Sequence, residues 1–151
     1  MPGQFTGSED VMDINIVTVT AEDIDALLRL VEQFATSFKP ERNAFDASLQ
    51  QLLQDDSAWL ALAKDGNRVL GYLLGFDHYA FYANGRVAWV EEMMVEETMR
   101  RHGVGRRLMA AFEGWAVSRN AKLIGLATRR AASFYLALGY EESAVFFRKL
   151  L

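Results

Sequence analysis

The feature that most constrains this chain is a turn, Arg100-Arg101-His102-Gly103-Val104-Gly105-Arg106-Arg107, set between an apolar run and an amphipathic one. The run before it, Val87 to Val95, reads as a strand. After it, Val104, Leu108, Ala111, Phe112 and Trp115 fall on one face of a helix reaching Arg119. A Gly-x-Gly turn at such a junction lets the backbone approach closely and aims the free N–H groups of the helix start at one spot. Arg100, Arg101, Arg106 and Arg107 crowd that spot in a chain whose net charge is −4. The combination points to an anion site with a pyrophosphate as its natural occupant.

Composition narrows the classes. The 151 residues are 51% hydrophobic and 24% charged, which fits one globular domain with a substantial core. Cysteine is absent, so disulfides, thiolate ligands and a cysteine nucleophile are excluded. The histidines are His78 and His102 alone, and no metal site is expected from them. The acidic balance argues against a broad nucleic-acid surface. No apolar run approaches the ~20 residues of a membrane span. Met1 to Asp10 lack the basic and apolar regions of a signal peptide. The expectation is a cytoplasmic protein with neither nucleic acid nor membrane as partner.

Residues 1–12 are Gly- and polar-rich and are expected to be flexible, leaving 13–151 as a single domain. Ile14 to Val19 alternates as a strand does. Thr20 stands where a helix N-cap would, and Ile24, Leu27, Leu28, Val31 and Phe34 follow at helical spacing. Phe45 to Leu53 reads as a second helix. Trp59–Ala63 and Val69–Phe76 read as strands joined at Asp65-Gly66-Asn67. Asp77 to Gly85 reads as a polar and aromatic hairpin loop ahead of the Val87–Val95 strand. Leu123–Ala127 is a further strand, Ala131–Leu138 a helix capped by Gly139, and the stretch from Tyr140 to Lys149 two short final strands. Hairpins imply antiparallel neighbours. The strand–helix–strand unit around the turn implies one parallel pair with a right-handed crossover. The fold class is α+β, a mixed sheet covered by helices.

Two nucleotide motifs fail on the turn. A dinucleotide fingerprint needs a third glycine where Leu108 stands, and a P-loop needs a Gly-Lys-Ser/Thr triplet that the chain lacks. Arg100-x-x-Gly103-x-Gly105, with the preceding Val90-Glu91-Glu92-Met93-Met94-Val95, instead resembles motif A of the GNAT superfamily of acyl-CoA-dependent N-acetyltransferases. Downstream, Thr128-Arg129-Arg130-Ala131-Ala132-Ser133-Phe134-Tyr135-Leu136-Ala137-Leu138-Gly139-Tyr140 resembles that family's Asn-x-x-Ala-x-x-Phe-Tyr-x-x-Leu-Gly-Phe/Tyr motif, with Thr128 in place of the frequent Asn. The resemblance spans Val69 to Lys149 and implies a twisted, mostly antiparallel sheet of about seven strands flanked by about four helices.

It also implies a chemistry. The cosubstrate would be acetyl-CoA and the acceptor a primary amine on a small molecule. Acetylation of a protein amine and a non-catalytic CoA-binding regulator are the alternatives. Backbone N–H groups from Arg101 through His102, Gly103, Val104 and Gly105 to Arg106 would hold the pyrophosphate, with Arg100 or Arg106 adding charge. The strand end Met93-Met94-Val95 would pair with the pantetheine arm, and the amide of Met94 or Val95 would polarise the thioester carbonyl. Thr128 and Phe134 lie at motif positions near the cofactor. Tyr135 matches the tyrosine that protonates the leaving thiolate. Glu91 or Glu92, with Glu92 preferred, would serve as base or amine anchor; neighbours on a strand face opposite sides, so only one can enter a given cleft. The segment Gly71 to Phe76 and the following aromatic hairpin are similar to spermidine/spermine-type enzymes. On that likeness Asp77, His78, Tyr79, Phe81 and Tyr82 would rim the acceptor site. The aromatic hairpin and the apolar Val145-Phe146-Phe147 support a homodimer.

Overall fold

A computed structural model describes residues 13–151; the segment 1–12, expected to be flexible, lies outside the described residues. Among the described residues there are five strands: β1 (Ile14–Val17), β2 (Ala58–Asp65), β3 (Arg68–Ala80), β4 (Gly85–Val95) and β5 (Ala121–Leu126). They form one sheet in the order β1-β2-β3-β4-β5. Neighbours are antiparallel except β4 and β5, which run parallel. Both tight connections put residues in the left-handed region, Gly66 at φ +57° and Asn84 at φ +57°, as residues of this type tolerate in hairpin turns. The segment read as a loop from Asp77 to Gly85 is mostly strand. β3 runs on to Ala80 and β4 restarts at Gly85, because their ladder continues from Asp77↔Ala88 to Ala80↔Gly85.

Four helices cover the sheet: α1 (Ile24–Phe34), α2 (Arg42–Gln54), α3 (Val104–Ser118) and α4 (Ala132–Ala137). The start at Thr20 takes a particular form. The Asp23 carboxylate accepts from the Thr20 N–H at 3.0 Å and the Thr20 hydroxyl at 2.9 Å, and a short 3-10 turn precedes α1. Lys64 Nζ, 2.6 Å from Asp23 Oδ1, ties that start to β2. On one face of the sheet, α3 buries Val104, Leu108 and Phe112 against Leu73, Ala88 and Val90. On the other, Leu27 and Leu30 of α1 and Leu49 of α2 pack with Leu62, Val69 and Tyr72. Each of these Leu, Val and Phe side chains contributes about 1.5–3 kcal/mol when fully buried.

Two expectations need correction. The strands number five rather than about seven, because residues after Leu126 enter no ladder among the described residues. The apolar run Val145–Phe147, read as part of a final strand, stands exposed instead, with the Phe146 ring stacked on Trp89 and Arg148 donating to Ser37 Oγ at 2.8 Å. A strand is a pairing, and a lone segment cannot supply it. Asp77 is likewise engaged elsewhere. It is 2% exposed and accepts from Arg86 Nε at 2.6 Å, Arg119 Nε at 2.8 Å and Arg119 Nη2 at 3.1 Å. The carboxylate fastens the β3–β4 hairpin to the end of α3.

Candidate active site

Everything that distinguishes this site begins with a bulge in β4. Leu74 pairs with Glu92 while Gly75 pairs with Val90, which leaves Glu91 as an extra residue without a partner on β3. A bulge re-aims every side chain beyond it. Before it, Ala88 and Val90 pack toward α3; beyond it, Met93 and Val95 do so, and Met94 joins the α1–α2 side. Glu92 therefore turns to the α1–α2 side, where the buried Tyr72 hydroxyl donates to its Oε1 at 2.9 Å. Glu91 is exposed and Glu92 half-buried. Strict alternation would have put Glu92 on the α3 face with Val90.

The surroundings tune these groups. Burial pushes the Glu92 carboxyl above the usual carboxylate range, the Glu91 charge adds to that, and the Tyr72 hydrogen bond opposes it. Burial, reinforced by the Glu92 charge, holds Tyr72 firmly protonated. Glu92 opens into a cavity of about 410 Å³ between α1, α2 and the sheet, lined largely by leucines and aromatic rings. Tyr72 is a site residue that sequence reasoning missed. Its signal was the β3–β4 register, which a single strand does not display.

On its other side β4 loses its neighbour. The last β4–β5 pair is Val90↔Leu126, so the edge of β4 from Glu91 to Val95 faces no strand on that side among the described residues. Free N–H and C=O groups on such an edge accept an extended ligand as an added strand.

The turn follows directly. Met99 and Val104 are buried on either side of it, and Arg100 to Gly103 stand exposed. Arg101 at φ +68° and Gly103 at φ +80° both adopt the left-handed region, an arrangement that gathers successive N–H groups into an anion-binding concavity. Gly103 is the N-cap of α3, and a Cβ there would meet nothing within 4 Å, so its backbone lies open. Gly105 serves a different purpose: a Cβ there would come 3.1 Å from Phe134 Cζ, so its absence lets α4 lie against the start of α3. Among the described residues Arg100, Arg101 and Arg106 make no ion pair. Arg107 is not part of the turn's charge, since its Nη2 donates to the Ile14 carbonyl at 2.6 Å. His102 is exposed.

The downstream motif arrives on α4. Tyr135 is 9% exposed, with its ring edge-on to Phe134 and Tyr140. Burial raises its phenol above the ordinary value, which keeps the proton in place. It belongs to the α3-side cluster, against which Met93 and Val95 also pack. Glu92 and Tyr135 thus lie on opposite faces of β4, with the unpaired strand edge between them. Thr128 is engaged locally, its Oγ1 accepting from the Ala131 N–H at 3.1 Å before α4. Phe134 serves as packing against Gly105. Asp77 is occupied by its arginines, and roughly 25 Å of strand separates Asn84 at the hairpin tip from Glu92, so this hairpin does not rim the Glu92 cavity. Among the described residues no cluster of three or more acidic or histidine side chains is placed to hold a metal ion, and no helix is long and apolar enough to cross a membrane.

A bulged strand, an unpaired strand edge and a basic Gly-x-Gly turn at a helix start define an acyl-CoA transferase architecture. The chain belongs to the acetyltransferase (GNAT) family, whose model matches residues 24–140. No curated protein sequence matches it significantly. Among solved structures it is similar to a transcriptional regulator from Bacillus halodurans C-125 (20% identity, 91% of this chain and 99% of that one, TM-score 0.83). It is similar to the aminoglycoside acetyltransferase AAC(6')-Iy in complex with the bisubstrate analogue CoA-S-monomethyl-acetylneamine (20% identity, 91% and 99%, TM-score 0.75). It is also similar to glucosamine-6-phosphate N-acetyltransferase from Arabidopsis thaliana (13% identity, 91% and 97%, TM-score 0.80). Identities this low establish the fold; the substrate must be argued from the site.

Proposed function

We propose that this protein transfers an acetyl group from acetyl-CoA directly to a primary amine on a small molecule. The observation that carries the reading is the unpaired β4 edge, Glu91 to Val95, lying between Glu92 on one face and Tyr135 on the other. The residues present suit the cosubstrate. The N–H groups around Arg101 to Arg106 and the free charges of Arg100 and Arg106 receive a pyrophosphate, and the β4 edge receives an amide-bearing arm. When bound, the thioester supplies an activated acetyl group.

The chain's own contributions follow from their placement. A lysine-like amine with pKa ~10.4 must lose a proton before attack, at a cost of about 4–5 kcal/mol at pH 7. Glu92 anchors the ammonium and receives that proton, directly or through water, and its raised affinity for a proton improves it as a base near neutrality. The amide of Met94 or Val95 points a donor at the acyl oxygen. Tyr135, kept protonated, hands its phenolic proton to the departing sulfur. Holding the thioester on the β4 edge and the amine at Glu92 of the same strand segment supplies the proximity that direct transfer needs. A cytoplasmic location and a homodimer joined through the apolar tail at Val145 and Phe147 belong to the same proposal; light scattering tests the latter.

The test is calorimetric titration with acetyl-CoA of the wild type and Gly103→Glu, followed by thiol release with an amine panel. We expect binding that Gly103→Glu abolishes, and turnover that Tyr135→Phe lowers on the order of 100-fold with binding retained. No binding by the folded wild type overturns the proposal. Binding without turnover of any amine replaces it with a CoA-binding regulator.

A further inference from the structure

We infer that the acceptor is a monoamine carried on an apolar body, such as an arylalkylamine, rather than a polyamine or an aminoglycoside. The inference rests on the acetyl-transfer reading of the same site and deepens it. The cavity into which Glu92 opens is walled by Leu27 of α1, Phe45, Leu49 and Leu52 of α2, and Leu60 and Leu74 of the sheet. Of the two carboxylates that line it, Glu92 is half-buried and Glu41 exposed. Lys39, also exposed, lines it with the opposite charge. The neighbouring Glu91, which would have made an acidic pair, is turned out to solvent by the bulge. With Glu92, Glu41 and Lys39 the lining carries a net single negative charge, and its half-buried carboxylate is Glu92.

The hydrogen bonding leads to the same count. Tyr72 occupies Oε1 of Glu92, and among the described residues Oε2 has no donor and no basic side chain forms an ion pair with Glu92. One ammonium group completes the carboxylate. A second ammonium held among the leucines and phenylalanine would meet no second half-buried counter-charge, the costly case for a cation leaving water. An aminoglycoside's hydroxyls would meet the same apolar walls unpartnered. A cavity of about 410 Å³ holds a molecule the size of tryptamine at the ~30 Å³ each water occupies in the liquid.

Acetyl-CoA at saturation and a panel of 2-phenylethylamine, tryptamine, spermidine and kanamycin test this by thiol release. The absence of cysteine removes any protein background from that assay. We expect kcat/KM for the arylalkylamines to exceed that for spermidine on the order of 100-fold, the discrimination that burying roughly 100 Å² of apolar surface carries. Leu52→Glu, a half-buried wall position, narrows that ratio at least tenfold while acetyl-CoA binding persists. Independently of turnover, tryptamine binds the protein alone in calorimetric titration, and Glu92→Gln weakens it. A preference for spermidine or kanamycin, or a ratio indifferent to Leu52→Glu, overturns the inference and leaves acetyl transfer standing. Bound acetyl-CoA with no arylalkylamine accepted does the same. Failure to bind acetyl-CoA overturns the reading beneath it, and the tryptamine titration then still decides whether the cavity takes an apolar amine.

Discussion

Replacing Asp77 by Asn should unfold the protein more easily by an amount the structure sets. Asp77 is 2% exposed and accepts three hydrogen bonds from Arg86 and Arg119. Burial alone would raise its pKa, but the two guanidinium groups outweigh it and hold the carboxyl at about 2. Unfolded, the group titrates near ~3.9. Between those values the unfolded chain binds more protons, so stability rises with pH across the window. The contribution is complete above the unfolded value and is lost as pH falls through about 2. The gap corresponds to about 2–3 kcal/mol at pH 7. Asparagine keeps the shape but turns an NH₂ group toward a guanidinium, so the variant loses that amount. For a chain of this length the loss lowers Tm by roughly 4–12 °C. Urea unfolding followed by circular dichroism reads it, with acetyl-CoA binding as a control that should not change. At pH 3 the wild type has surrendered about 1 kcal/mol of its own advantage, and the difference narrows accordingly. A difference below ~0.5 kcal/mol at pH 7, or an equal gap at both pH values, would refute the reasoning.

Other outcomes follow from Glu92 and its partner. Because burial raises the Glu92 pKa in the folded state, the folded chain holds more protons there than the unfolded one, and this residue lowers stability as pH rises through that window. Glu92→Gln should be more stable than the wild type at pH 8 and lose that advantage at pH 4, while acetyl transfer falls. Paired urea titrations decide it, and a variant weaker at pH 8 than at pH 4 relative to wild type contradicts the assignment. Tyr72→Phe removes the hydrogen bond that favours the Glu92 carboxylate, so the acid limb of the kcat/KM profile should move to higher pH. A profile that keeps its acid limb while only its height changes would reduce Tyr72 to a packing residue.

Much of this was legible in the residues because it is local. The helix-spaced apolar residues from Ile24 to Phe34, the turn at Asp65-Gly66-Asn67 and the Gly103–Gly105 junction each declare themselves within a few positions. What was not legible depends on pairing across distance. The bulge at Glu91 exists only relative to β3, so the choice between Glu91 and Glu92 could be framed but not made from alternation. Asp77 meets Arg119 forty-two positions away, a pairing that its neighbours in sequence do not show. The tail's apolar run at Val145 to Phe147 promised a strand without revealing whether any edge would receive it.

The sheet also acts as a partition between two independently variable halves. The layer formed by α1 and α2 lines the cavity proposed to receive the amine, and the layer formed by α3 and α4 carries the basic turn and Tyr135; their cores are separate clusters. Substitutions at Leu49 or Leu52 can therefore redraw the acceptor range while the turn keeps its geometry. In directed evolution, a library confined to α1 and α2 should yield altered substrate preference with unaltered thioester affinity. Drift in lineages of such proteins would leave the same asymmetric trace, variable on one side of the strands and constrained on the other.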